Sequence, residues 1–125
     1  MGICWPVYWL WVGMMTLRET RILYTKCLCH LVMWANSEPG WEVAFGEDFD
    51  EADPKEKRRH MRGSLHYLGL ANDLALYIHG EYQTSTEAYK KLGERWKALN
   101  PLCRWGGDFK RKDGCHFSVT YGGKA

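Results

Sequence analysis

The sequence predicts a single small α+β domain, in which helices flank an antiparallel sheet. Segments with helical and strand patterns follow each other in mixed order, without the regular alternation or the glycine-rich phosphate loop of a nucleotide-binding sheet. The 125 residues suit one hydrophobic core, and they contain no repeat, low-complexity tract or convincing linker. We therefore expect one catalytic or binding domain over residues 15–125, with one functional site.

The first helix is predicted to begin at a capping box. In Thr16-Leu17-Arg18-Glu19, threonine and glutamate stand three residues apart and can satisfy free amides of the first turn. Apolar residues then recur at helical spacing as far as Ala35. The turn-forming residues 36–40 should end the helix, and a strand is expected from Trp41 to Phe45.

The rest of the chain carries four more patterns. Asp53-Pro54 predicts the start of a short helix over about residues 53–61. Leu74 to Ile78 indicates a buried strand. A second capping box, Thr84 to Glu87, precedes a helical stripe that ends at Asn100-Pro101. His116 to Tyr121 alternates as a last strand.

Composition excludes several classes of protein. With 46% apolar and 26% charged residues, the chain is not intrinsically disordered. A formal net charge of +2 gives no reason to expect a nucleic-acid partner, and the basic run over residues 55–62 is typical of a solvated helix face. Five cysteines without framework spacing argue against a disulfide-stapled secreted scaffold.

Residues 1–14 form an apolar segment outside the predicted domain. The first seventeen residues carry no charge, yet they are too short for a spanning helix and lack the basic start of a signal peptide. We interpret residues 1–14 as an N-terminal extension with a non-native or misassigned start. A short membrane-associating anchor is the alternative.

A candidate metal site lies around the buried strand. His66 and Asp73 stand seven residues apart on a loop that we expect to feed this strand, and His116 opens the last strand. Histidine nitrogen and aspartate oxygen are both zinc ligands. If the two strands are neighbours, His66, Asp73 and His116 can converge on one ion, and three protein ligands leave a fourth position for water. Spacing alone is a weak signal, since such pairs occur by chance.

The residues around this pair carry a more specific signal. The stretch Ser-x-His-x-x-Gly-x-Ala-x-Asp-Leu, here Ser64 to Leu74, resembles the signature of D-alanyl-D-alanine carboxypeptidases, dipeptidases and phage L-alanyl-D-glutamate endopeptidases. The similarity continues in order through about residues 15–120. It includes Gly80-Glu81-Tyr82, the segment Trp105-Gly106-Gly107-Asp108-Phe109, and the pattern Asp113-x-x-His116-Phe117.

The resemblance implies a role for each matching residue. His66, Asp73 and His116 would bind one zinc ion, and Asp113 would be the catalytic base. A bound zinc ion makes water more acidic and polarises the scissile carbonyl, so that a nearby carboxylate can take the water's proton and pass it to the leaving amine. Ser64 is expected to orient a ligand or the substrate. Trp105 and Gly106 would shape the cleft, as would Asp108, the competing candidate for the base.

The chain departs from the family at one position. Related enzymes usually have an arginine soon after the first strand, where this sequence has Asp50. We expect this change to lower activity or alter substrate choice, unless Arg58, Arg62 or Arg104 supplies the missing charge.

These observations define competing functions. The favoured one is hydrolysis of the L-Ala-D-Glu bond in peptidoglycan by a monomeric phage endolysin. Such an enzyme would collect in the host cytoplasm and reach the wall after a holin permeabilises the membrane. D-Ala-D-Ala cleavage is the alternative reaction. A zinc-retaining but inactive wall-binding module and a holin-like membrane-disrupting protein are the alternatives outside catalysis.

Overall fold

The structure, a computed structural model, describes residues 15–46, 64–66 and 68–125. These residues contain two α-helices and five strands, joined by turns and short 3₁₀ segments. In chain order they are α1 (Leu17–Ser37), β1 (Trp41–Phe45), β2 (Ala71–Ile78), β3 (Glu81–Tyr82), α2 (Lys90–Leu99), β4 (Cys103–Trp105) and β5 (His116–Val119). The strands pair antiparallel in the order β1-β2-β5-β4, and β3 pairs with β2. The predicted α+β class is confirmed.

Helix α1 begins at the predicted capping box. Glu19 N–H donates to Thr16 Oγ1 at 3.1 Å, and Thr16 N–H donates to the Glu19 carboxylate at 3.2 Å. The predicted apolar stripe is buried against the sheet, including Leu28, Leu31 and Ala35. Because both the start and the stripe depend only on residues close in sequence, this helix could be predicted almost to the residue.

Strand β2 begins earlier than predicted. We expected a strand from Leu74, with Asp73 on the loop before it, but Asp73 lies within β2. Ala71, Asn72 and Asp73 have low strand propensity, which explains the error. They are extended because β5 pairs with them, Ala71 opposite Ser118, Asn72 opposite Phe117 and Asp73 opposite His116.

The start of the second helix also differs from the prediction. The Thr84 to Glu87 capping box does not form, and Ala88 N–H donates instead to Ser85 Oγ at 3.2 Å. A 3₁₀ turn over Glu87–Tyr89 leads into α2, which ends before Asn100 as expected. Strand β5 stops at Val119, so the predicted strand to Tyr121 was two residues too long. Strands β3 and β4 were not predicted.

Tyr89 completes the hydrogen bonding of β2 where the strand has no neighbour on one side. Its hydroxyl accepts from Leu76 N–H at 3.0 Å and donates to the Leu74 carbonyl at 2.9 Å. These backbone groups lie between the positions where β5 and β3 pair with β2. Buried backbone groups need hydrogen-bond partners, and here the Tyr89 side chain provides the partners that a neighbouring strand would otherwise supply.

Several predictions fall outside the described residues. They concern the extension at residues 1–14, the short helix over about residues 53–61, the basic run, and Asp50 with Arg58 and Arg62. Among the helices that the structure describes, none is both long and apolar enough to cross a bilayer.

Candidate metal centre

Three side chains converge at the start of β2 and β5. His66 Nε2 lies 3.1 Å from His116 Nδ1 and 3.7 Å from Asp73 Oδ1, and the His116 and Asp73 atoms are 3.9 Å apart. All three side chains are largely buried, between 7% and 16% exposed. The predicted set of ligands is therefore brought together in space.

The donor set fits one zinc ion. Two atoms that both bind zinc at 2.0–2.1 Å in a tetrahedron are about 3.3 Å apart, and the three observed separations bracket that value. Two imidazole nitrogens and one carboxylate oxygen are ligands that zinc accepts readily. His66 Nε2, His116 Nδ1 and Asp73 Oδ1 would hold the ion, which leaves a fourth position of the tetrahedron for water or substrate.

The Ser64 to Leu74 motif has a structural reason at several positions. His66 N–H donates to Ser64 Oγ at 3.3 Å, so the serine fixes the backbone of the first ligand. Leu65 is buried and anchors the turn in the core. Gly69 has a positive φ of 74°, which glycine adopts without steric cost. Arg21 of α1 donates to the Leu68 carbonyl at 2.6 Å and ties this turn to the helix.

The antiparallel register brings together the other two ligands. Asp73 of β2 and His116 of β5 are directly opposite each other, and residues opposite each other in a pair of strands project from the same face. Although 43 positions separate them in sequence, the pairing of two short strand segments makes them neighbours. The sequence indicated this convergence only on the condition that the two strands were adjacent.

Asp113 lies beside the three ligands. One of its carboxylate oxygens is within 4.8 Å of an Asp73 oxygen and of the Cys115 sulfur, and the side chain is exposed. Its backbone is held in place, because Asp113 N–H donates to the Gly106 carbonyl at 2.9 Å and its carbonyl accepts from His116 N–H at 3.1 Å. The carboxylate therefore borders the metal centre and remains accessible.

Gly106 and Trp105 support the segment that carries Asp113. A side chain at Gly106 would overlap the Asp113 carbonyl and would come within 2.7 Å of the His116 Cβ atom. Trp105 is buried and donates from Nε1 to the Gly114 carbonyl at 2.7 Å. Both residues thus support the backbone of this segment, and the Trp105 indole is buried.

Asp108 faces a different partner. Its carboxylate forms an ion pair with Lys97 at 2.8 Å, and this pair raises the pKa of the Lys97 ammonium. Among the described residues, Asp108 is not in either cluster of possible metal ligands, whereas Asp113 is. Of the two candidates for the base, Asp113 is the one that lies at the metal centre.

Cys115 is a neighbour of the site for which the sequence predicted no role. Its thiol donates to Asp113 Oδ1 at 3.3 Å. Burial, and then the charges of Asp73 and Asp113, raise the pKa of this thiol, so it stays protonated at neutral pH. The signal in the sequence was its position between Asp113 and His116.

Arg104, one of the arginines considered for the missing charge, and the two other described histidines lie elsewhere. His30 is exposed on α1, and His79 is exposed in a turn where its ring covers Gly40. Arg104 donates to the carbonyls of Pro101 and Cys103, so its guanidinium group is bound to its own turn. Neither histidine joins a cluster of possible metal ligands among the described residues.

The fold and this centre together define the class: a small α+β domain with a His-Asp-His set suited to a catalytic zinc ion. A model of a protein family described as D-alanyl-D-alanine carboxypeptidase matches residues 58–119, just under half of the chain. The matched segment contains His66, Asp73, Asp113 and His116, and it is similar to peptidases of this family. No curated protein matches the chain.

Proposed function

We propose that the chain is a zinc-dependent peptidase that hydrolyses stem peptides of bacterial peptidoglycan. The observation that carries this proposal is the separation of 3.1–3.9 Å between His66 Nε2, Asp73 Oδ1 and His116 Nδ1, with the Asp113 carboxylate beside them. A structural zinc site is usually closed by four protein ligands, whereas a set of three with an accessible carboxylate beside it is typical of a catalytic site. The similarity of residues 58–119 to D-alanyl-D-alanine carboxypeptidases supports the same reaction class.

The residues have separate tasks in this mechanism. A bound zinc ion would supply Lewis acidity, which polarises the scissile carbonyl and makes water more acidic. Asp113 accepts the proton of the attacking water and returns it to the leaving nitrogen, so that one amide bond is replaced by a carboxylate and an amine. Cys115, through its hydrogen bond to Asp113 Oδ1, keeps this carboxylate oriented toward Asp73.

Positive charge for the substrate is available next to the base. Lys110, Arg111 and Lys112 are exposed and directly precede Asp113. Stem peptides carry free carboxylates, including that of D-glutamate, and such groups are attracted to lysine and arginine. Since Arg104 is bound to its own turn, this basic segment is our proposal for the charge that relatives supply by an arginine at the position of Asp50.

We favour the L-Ala-D-Glu bond as the bond that is cut, in the setting of a phage endolysin released through a holin. The Ser64 to Leu74 motif resembles that of these endopeptidases and of D-Ala-D-Ala carboxypeptidases alike, and the small size of the chain is most similar to that of phage lysis enzymes. Cleavage of D-Ala-D-Ala is the second candidate, and the description of the matched family favours it. Both reactions use the same ligands and the same base.

Digestion of purified muropeptides tests the proposal and distinguishes the bonds. Zinc-loaded protein and an Asp113→Ala variant, which keeps all three ligands, are incubated with muropeptides, and the products are identified by mass spectrometry. Products cut after L-alanine, absent with the variant, would support the endopeptidase. Release of D-alanine would identify the carboxypeptidase. No cleavage by protein that binds zinc would contradict the proposal and favour an inactive binding module.

A further inference from the structure

The side chain of Tyr24 links α1 to both strands that carry metal ligands. Tyr24 is 3% exposed, and its hydroxyl lies 2.8 Å from Asn72 Oδ1 of β2 and 3.3 Å from the Phe117 carbonyl of β5. The hydroxyl can donate its proton to either oxygen. A single buried group thus spans the junction between the two strands.

The two residues that Tyr24 contacts stand next to the ligands. Asn72 precedes Asp73, Phe117 follows His116, and Asn72 and Phe117 are opposite each other in the register. Because side chains alternate along a strand, Asn72 projects from the face opposite to that of Asp73. Tyr24 therefore acts from the helix side of the sheet, one residue away from each ligand.

The pairing that Tyr24 supports is short. Three register pairs join β2 to β5, and one of them is the Asp73–His116 pair itself. The Tyr24 ring is fixed by an edge contact with Trp96, whose ring also meets Phe117 edge on, with centroid distances of 5.8 and 6.1 Å. The Tyr24 hydroxyl thus adds a hydrogen bond at a place where the pairing of β2 with β5 provides few.

We propose that Tyr24 is a positioning residue of the metal centre, which holds β2 and β5 at the separation that zinc requires of Asp73 and His116. This inference depends on the proposed zinc site. Residues that orient metal ligands contribute about 10- to 100-fold to metal affinity. Without the hydroxyl, the two strands can shift relative to each other, and the ligand atoms leave the tetrahedral spacing.

The structure offers a matched control in Tyr89. It is also buried, 2% exposed, and its hydroxyl also bonds β2, but at Leu74 and Leu76 and not between the ligand strands. Zinc affinity of the wild type, Tyr24→Phe and Tyr89→Phe is measured by competition with a chromophoric chelator, at a temperature where circular dichroism shows all three to be folded. The visible spectrum of the cobalt-loaded proteins reports the ligand geometry.

We expect Tyr24→Phe to weaken zinc binding about tenfold or more and to change the cobalt spectrum, while Tyr89→Phe changes neither. Equal affinity of Tyr24→Phe and wild type, or an equal loss in both variants, would overturn the inference and leave the zinc site intact. Wild-type protein that binds no zinc would overturn the proposed function itself, and the inference with it.

A second variant removes the acceptor instead of the donor. Asn72→Ala should also weaken zinc binding, and the double variant with Tyr24→Phe should bind about as tightly as the weaker single variant, because both remove one interaction. Fully additive losses would show that Tyr24 and Asn72 act independently, which contradicts the proposed link.

Discussion

Asp73 and His116 stand directly opposite each other on β2 and β5, with Asp73 Oδ1 3.9 Å from His116 Nδ1. His66 completes the set from the turn before β2, where its Nε2 lies within 3.7 Å of both atoms. Two of the three ligands therefore depend on strand pairing, and the third depends on a turn anchored to α1. The candidate metal centre and the fold thus share the same interactions, so we expect metal binding to be coupled to stability.

Zinc should stabilise the folded protein through His66. At a free zinc concentration 100 times Kd, binding to the native state adds about 2.7 kcal/mol to the free energy of unfolding, which raises Tm by several degrees. His66→Ala removes one ligand, so this rise should largely disappear. Thermal unfolding with zinc and with a chelator measures the effect. His30→Ala, at an exposed position on α1, is the control and should keep the full rise; a rise retained by His66→Ala would argue against the assigned ligands.

Replacement of Asp113 should separate catalysis from metal binding. Asp113→Asn keeps the shape of the side chain and removes its basicity, so we expect kcat to fall about 10²- to 10⁴-fold. Zinc content, measured by atomic absorption, should stay at one ion per chain. Asp108→Asn breaks an ion pair with Lys97 and should leave kcat within about threefold, since exposed pairs contribute little. The reverse pattern would identify Asp108 as the base.

Neutralisation of the basic segment should affect substrate binding. Replacing Lys110, Arg111 and Lys112 by alanine removes three exposed positive charges, and we expect KM for anionic muropeptides to rise several-fold with kcat nearly unchanged. The difference from wild type should shrink at high salt, because salt screens exposed charges. The double variant Arg18→Ala/Lys26→Ala on α1 is the control. A salt-independent change, or an equal change in the control, would speak against the proposal.

The Tyr89 hydroxyl should produce a specific loss of stability at high pH. Burial raises the pKa of Tyr89 to about 12, above its unfolded value of about 10. The native state therefore holds this proton more tightly, and the resulting stability is fully present below about pH 10 and is lost as the pH rises toward 12. Urea unfolding of wild type and Tyr89→Phe across this range should show that the variant lacks this part of the decline.

At neutral pH the same substitution should be destabilising. Tyr89→Phe leaves the buried Leu76 N–H and Leu74 carbonyl without this partner, at a cost of about 1–3 kcal/mol. Tyr121→Phe, at a partly exposed position, is the control and should unfold like the wild type. A Tyr89→Phe protein as stable as wild type would show that the hydroxyl does not support β2.

The two capping boxes that the sequence suggested should respond differently to mutation. Thr16→Ala removes a cap that is present and should cost about 1 kcal/mol of unfolding free energy. Thr84→Ala changes a cap that does not form and should cost little.

The capping box at Thr16 should also make stability depend on pH. The hydrogen bonds with Thr16 lower the pKa of Glu19, so the contribution of the Glu19 carboxylate to stability is present above about pH 4.5 and is lost as the pH falls through the lower folded value. Chemical unfolding at neutral and acidic pH measures both effects, and equal costs at Thr16 and Thr84 would contradict them.

Features that depend on residues close together in the chain could be predicted from the sequence. Thr16 and Glu19 set the start of α1 and the apolar stripe set its buried face, while the motif around Ser64, His66, Gly69 and Asp73 pointed to candidate ligands through its resemblance to a peptidase family. Each of these interactions joins residues that are close to each other in sequence, so local propensity and residue chemistry are sufficient to predict them.

Other features follow from how separate elements pack together. Asp73 is in a strand because β5 pairs with it, Asp113 and not Asp108 borders the metal centre, and Tyr24 reaches Asn72 and Phe117 from a distant helix. Each of these relationships joins residues that are far apart in the chain or depends on how a segment is packed. Local propensity carries no information about such pairings, since the energy that selects them comes from burial and hydrogen bonding between separate elements.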